Sequence, residues 1–273
     1  MNPIPLIHRA AHLILIGIII SLVSCSFPTN RTLQRLDYPT PLGTTIEDRT
    51  LIVFLRGKSG SHRSFESSGF VDELHKQGLP VDVVAPNTHF GYYMGRSVVD
   101  RLKVDIIDPA KSSGYKRIWL VGVSLGSIGS LLYLDSHPDD IDGVCLIAPY
   151  LGNSRILDPV EAAGSLQQWQ PRNPDAGKDW QQQIWQILKD LQAEGFQNPP
   201  VYLAYGTDDR YQRAHKLLSA NMPEDQIFRV EGGHDFVTFA KAWKALLENG
   251  IFTPAPSPIP DAHRQALAGS RED

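Results

Sequence analysis

The chain has 273 residues, of which 42% are hydrophobic and 21% charged. That is enough for one sizeable core and is not the composition of a disordered chain. The formal net charge of −4, with no basic stripe or block of like charge, argues against nucleic acid as a partner.

The N-terminus is distinct from the rest. Residues 1–12 carry His8, Arg9 and His12 and no acid, and Leu13–Val23 (LILIGIIISLV) is almost wholly aliphatic. This run is too short to cross a bilayer, which takes about 20 apolar residues, but it fits the apolar region of a secretory signal. It ends in Leu22-Val23-Ser24-Cys25, which resembles a bacterial lipobox. The resemblance implies that residues 1–24 are a lipoprotein signal peptide and that Cys25 becomes the lipidated first residue. It further implies a chain held at a membrane in the bacterial cell envelope, and Ser26 after the cysteine favours the outer membrane. The other cysteine, Cys145, lies in the apolar run GVCLIAP and reads as a small buried hydrophobe. Neither the cysteines nor the nine histidines show a metal-binding spacing.

Residues 25–48 are polar and contain Pro28, Pro39 and Pro41. They read as a tether with room for one short strand near its end. A domain over 49–251 follows. Six apolar runs punctuate it: Leu51–Leu55, Val81–Ala85, Ile118–Val123, Val144–Ala148, Val201–Tyr205 and Ile227–Val230. They are β-branched and continuous rather than alternating, as parallel strands buried on both faces are. The stretches between them have helical length and spacing. Phe236, Phe239, Ala240, Trp243, Leu246 and Leu247 form the clearest apolar stripe, ended by Asn249-Gly250. The fold class is therefore α/β, with a mostly parallel sheet of about six strands flanked by helices. The connection over 150–200 is too long for a simple crossover. Its helix carries Trp180, Ile184, Ile187, Leu188 and Leu191 on one face, and is either a small cap over the sheet edge or an extra core helix. Residues 252–273 are Pro-rich and then charged, and read as a disordered tail.

The chemistry is concentrated at three strand ends. Gly122-Val123-Ser124-Leu125-Gly126 follows a strand and opens a helix. Gly-x-Ser-x-Gly alone is weak, but this context is what a nucleophile elbow needs. Ser124 must adopt a strained backbone to present its Oγ, and the two glycines let strand and helix approach. A serine hydroxyl needs a base, and the base an orienting acid. GTDDR after the fifth run offers Asp208 and Asp209, and EGGHDF after the sixth offers His234.

GVSLG, YGTDDR and GGHDF, in that order, resemble the α/β-hydrolase superfamily over roughly residues 51–249. The resemblance implies a Ser124–His234–Asp209 triad, with Asp208 as the other candidate acid. It implies an oxyanion hole from the backbone N–H groups of Leu125 and of a residue in LRGKSGSH, by position Lys58. Many members have His-Gly in that loop where this chain has Arg56-Gly57. Arg56 has three destinations: a salt link to Asp48, one to Asp72, or the pocket. The implied activity is hydrolysis of a carboxylic ester or related acyl bond in a small-molecule substrate, without metal or organic cofactor. Thioesterase, acyltransferase or peptidase chemistry on the same triad is the alternative within enzymes. A non-catalytic membrane-anchored binding protein is the alternative outside them.

Overall fold

The computed structural model describes residues 30–172 and 179–253. The signal segment and Cys25 lie outside the described residues, as does the tail from residue 254.

All six apolar runs form strands: β2 (Thr50–Leu55), β3 (Val81–Pro86), β4 (Arg117–Val123), β5 (Gly143–Ile147), β6 (Val201–Gly206) and β7 (Ile227–Val230). A further strand, β1 (Arg35–Tyr38), lies inside the segment read as a tether. The seven-stranded sheet has the order β1-β3-β2-β4-β5-β6-β7. Only the β1–β3 pairing is antiparallel. The carboxyl ends of β2 to β7 therefore share one rim, where open parallel sheets place their ligands.

The strands are continuous in apolar character because both faces are covered. Val53 and Leu55 point into one core cluster, and Ile52 and Phe54 into the other. On the first face lie α3 (Phe90–Met94), α4 (Val98–Leu102), α5 (Asp108–Ser112) and α6 (Leu125–Ser136). They are joined there by α7 (Ser154–Ala162), α8 (Trp180–Ala193) and α9 (Gln212–Ser219). On the second lie α2 (Phe70–Lys76) and α10 (Phe236–Glu248), with Phe65 from the short α1 (Ser64–Ser67). Trp243 of α10 is the hub of the second face. Its ring stacks on Phe70 and meets Phe54 edge-on, and its Nε1–H donates to the Phe70 carbonyl at 3.0 Å.

The long connection resolves into α7 and α8. Ile184, Trp185, Ile187, Leu188 and Leu191 of α8 are buried in the first core, and Trp185 Nε1 donates to the Leu151 carbonyl at 2.8 Å. The helix thus packs as a core element along its length. Trp180, expected on its buried face, is instead 39% exposed at the helix N-terminus. There it meets Tyr150, which follows β5 at the rim, with ring centroids 5.8 Å apart.

Candidate active site

Ser124 sits between the last residue of β4 and the first of α6, with φ 53° and ψ −110°. A non-glycine residue in this region stores about 1–3 kcal/mol of strain. Packing enforces it. A Cβ on Gly122 would lie 2.5 Å from Ser127 Cα, and one on Gly126 would lie 2.0 Å from the Leu55 carbonyl oxygen. The elbow is pinned from below by the Ser124 N–H donating to Ile147 O (2.9 Å), and Tyr150 N–H donates to Ser124 O (3.3 Å).

His234 reaches the elbow from the β7–α10 loop. Its Nε2 lies 3.0 Å from Ser124 Oγ and its Nδ1 2.7 Å from Asp209 Oδ2. With the proton on Nδ1, His234 donates to Asp209 and accepts from the serine hydroxyl. The loop is held by Asp235, whose Oδ1 caps α10 by accepting from Thr238 N–H at 2.9 Å. It is also tied to the β6 end, because Asp208 N–H donates to the Gly232 carbonyl at 2.9 Å. The Tyr211 and Phe239 rings stand edge-on to the imidazole at 4.8 and 4.9 Å, so its orientation is fixed by walls as well as by hydrogen bonds.

Asp209 is fully buried and His234 is 8% exposed at its side chain. Burial pushes the Asp209 carboxyl up, but the His234 hydrogen bond and the Tyr211 N–H on Oδ1 (2.7 Å) outweigh it and hold it below the usual carboxylate value. Asp208 points elsewhere: its side chain is exposed and, among the described residues, accepts from Thr207 Oγ1 alone at 3.4 Å. The structure thus brings together Ser124, His234 and Asp209, and not Asp208.

Leu125 is the first residue of α6, so its N–H has no acceptor within the helix. The β2–α1 loop closes on the serine from the other side. A Cβ on Gly57 would fall 3.4 Å from Ser124 Cβ and 4.0 Å from its Oγ. This places the Gly57-Lys58 backbone beside the nucleophile. Arg56 is bonded to neither Asp48 nor Asp72. Its Nη1 donates to Asn87 Oδ1 (3.0 Å) and its Nη2 to the Lys58 carbonyl (3.1 Å), while burial lowers its pKa. The salt links failed as expectations because the side chain runs along the top of the sheet from β2 toward β3.

His215 was not recognisable as part of this site, because it lies in mid-helix rather than at a strand end. It is fully buried in α9, with its ring 5.0 Å from Tyr205 and Nε2 donating to the Pro149 carbonyl at 2.9 Å. Burial first, and the charge of His234 in addition, lower its pKa to about 4, against the pull of Asp209. It is a neutral support behind the acid. The one sequence signal was its place six residues after Asp209, in the first turn of the helix that follows the acid's loop.

No protein-family model and no curated protein matches the sequence. Solved structures do resemble the fold. An S-formylglutathione hydrolase from Staphylococcus aureus superposes with a TM-score of 0.53 at 14% identity, covering 81% of this chain and 98% of its own. Est1E from Butyrivibrio proteoclasticus gives 0.54 at 17% identity, with 80% and 94% covered. A carboxylesterase structure from the thaumarchaeon Nitrososphaera gargenis gives 0.51 at 16% identity, with 90% and 96% covered. With its seven-stranded, mostly parallel sheet between two helical layers, the chain has the α/β-hydrolase fold.

Proposed function

We propose that the protein is a serine hydrolase that cleaves a carboxylic ester through an acyl-enzyme. The observation that carries this reading is the bridge of His234 between Asp209 (2.7 Å) and Ser124 (3.0 Å). The names of the structural neighbours, a hydrolase of the thioester S-formylglutathione and a carboxylesterase, support acyl-bond cleavage as an analogy of fold.

Ser124 Oγ attacks the carbonyl carbon as its proton passes to His234 Nε2. Asp209, kept ionised by its two donors, holds the imidazole in the reactive tautomer and stabilises the imidazolium. The carbonyl oxygen becomes negative and is received by the N–H groups of Leu125 and Lys58, aided by the positive end of α6. Collapse of the tetrahedral species breaks the ester C–O bond, and His234 returns the proton to the leaving alkoxide. Water then repeats the sequence with His234 as base, releasing the acid and free Ser124.

The LVSC stretch supports a second proposal: Cys25 is lipidated and anchors the enzyme in the cell envelope. Incorporation of a fatty-acid label that disappears in Cys25→Ala is the expected result. Persistence of the label in that variant would contradict it.

The catalytic reading is tested with 4-nitrophenyl esters of increasing acyl length. Ser124→Ala should lower kcat by about 10⁴–10⁶-fold while the domain stays folded. Equal turnover by the variant would overturn the assignment.

A further inference from the structure

Arg56 is a buried charge with no counter-charge among the described residues. It is 9% exposed, yet its partners are an amide oxygen, Asn87 Oδ1, and a backbone carbonyl, Lys58 O. Its Nε–H is buried and has no acceptor. A guanidinium has five N–H donors in a planar fork, and only two contacts use them here. A desolvated cation left in this state is costly unless an anion completes it.

Among the described residues, none supplies such an anion. Tyr93 is the neighbour whose charge bears on Arg56, and its buried hydroxyl faces the neutral hydroxyl of Thr88. Burial makes Tyr93 harder still to ionise. His62, close enough to feel the charge of Arg56, is disfavoured as a cation by burial first and then by Arg63 and Arg56. Lys58 rests its ammonium 5.0 Å over the Phe90 ring rather than on a carboxylate. Away from this rim the pattern differs: Arg49, Lys103, Lys111, Arg213 and Arg229 each have a carboxylate partner.

The place matters as much as the charge. Arg56 is one residue from Gly57, whose missing Cβ would stand 4.0 Å from Ser124 Oγ, and Lys58 is exposed on the other side of that glycine. We propose that Arg56, with Lys58 at the mouth, binds an anionic group of the substrate, so that the preferred esters carry a carboxylate or a phosphate. This rests on the serine-hydrolase reading and names its substrate class. An arginine fork suits both groups, because each offers paired oxygens at matching spacing.

The test compares matched neutral and anionic esters in the wild type, Arg56→Gln and Arg56→Lys. On the acyl side the pairs are 4-nitrophenyl monoesters of adipic and suberic acid against the same compounds with the free acid methylated. On the alcohol side they are 4-acetoxybenzoate and 4-acetoxyphenyl phosphate against methyl 4-acetoxybenzoate. The expected result is a kcat/KM at least about tenfold higher for an anionic member than for its neutral partner in the wild type. That ratio should fall to about one in Arg56→Gln and survive in part in Arg56→Lys. The carboxylate and phosphate members tell the two anions apart. Absence of any anionic preference in the wild type would overturn the proposal. So would an equal loss on both members of a pair in Arg56→Gln, which would make Arg56 a strut of the oxyanion loop and nothing more. If Arg56→Gln does not fold, the wild-type ratio and Arg56→Lys decide alone. Loss of all turnover together with loss of Ser124 reactivity would instead indict the hydrolase reading itself.

Discussion

Replacing Asp209 by Asn keeps the shape of the side chain but removes the acceptor that fixes the His234 tautomer. We expect kcat to fall about 10⁴-fold. Asp208→Asn, three bonds of chain away but turned to solvent, should stay within about threefold of wild type, since it changes only an exposed charge. Side-by-side kinetics check the pair, and a reversed order would contradict the assignment of the acid. His215 gives a prediction in pH. Its folded pKa is lowered to about 4 from a usual 6.5, so the unfolded chain binds its proton first. Its effect on stability is therefore fully favourable above about pH 6.5 and is lost as pH falls from there toward 4. His215→Leu leaves the Pro149 carbonyl unpaired and should cost about 1–3 kcal/mol at pH 7.5. That gap should narrow as pH drops through this window, as followed by thermal melts. Ser124, His234 and the pair of aspartates were legible because each follows an apolar run. The choice between Asp208 and Asp209 rested on the family pattern, since both flank the same strand end, and only side-chain direction separates them. The partners of Arg56 were not legible, because a contact from β2 to Asn87 depends on sheet order, which adjacency in sequence does not reveal.

At the scale of elements, the elbow depends on backbone meeting backbone. A Cβ on Gly126 would sit 2.0 Å from Leu55 O, an atom of the central strand β2 that has nowhere to move. Gly126→Ala should therefore lose Ser124 reactivity and at least about 1–3 kcal/mol of stability. Trp243→Ala removes the fully buried hub of α10 and should cost about 3–5 kcal/mol. It acts on the second face of the sheet, so the residual folded fraction should still react at Ser124. Chemical denaturation with a parallel activity assay checks both variants. The six buried strands were readable because continuous β-branched runs need cover on both faces. The helix over 180–193 was readable as a helix, but its role was not. An amphipathic stripe says that a face is buried and not against what, and α8 proved to bury it along the core while only Trp180 reaches the rim.

The whole molecule has an edge that its sequence understated. β1 reads RLDY and alternates between exposed and half-buried, so it has no apolar run to announce it. It is nonetheless tied in place. Leu33 N–H donates to Asp105 Oδ2 at 2.8 Å, Tyr92 Oη donates to Arg31 O at 3.2 Å, and Thr40 N–H donates to Asp82 Oδ1 at 2.6 Å. Asp82 is also paired with Arg49 at 3.2 Å and bonded by Tyr115. A protein beginning at residue 40 would expose the β3 edge. It should melt several degrees below one beginning at Ser26 and should aggregate with rising concentration. Equal melting temperatures would show that β1 contributes nothing to the sheet. If Cys25 carries the lipid, this strand lies only a short stretch of chain from the membrane, and the catalytic domain is held close to it.

On the proposed reading, the hydrogen bonds of His234 to Asp209 and Ser124 activate the serine hydroxyl as a nucleophile. The most direct measurement is covalent labelling of the folded domain with a fluorophosphonate, with the modified residue located by peptide mass spectrometry. We expect a single adduct on Ser124, no adduct in Ser124→Ala, and strongly slowed labelling in His234→Ala. A folded domain that stays unlabelled, or carries its adduct on another residue, would contradict it.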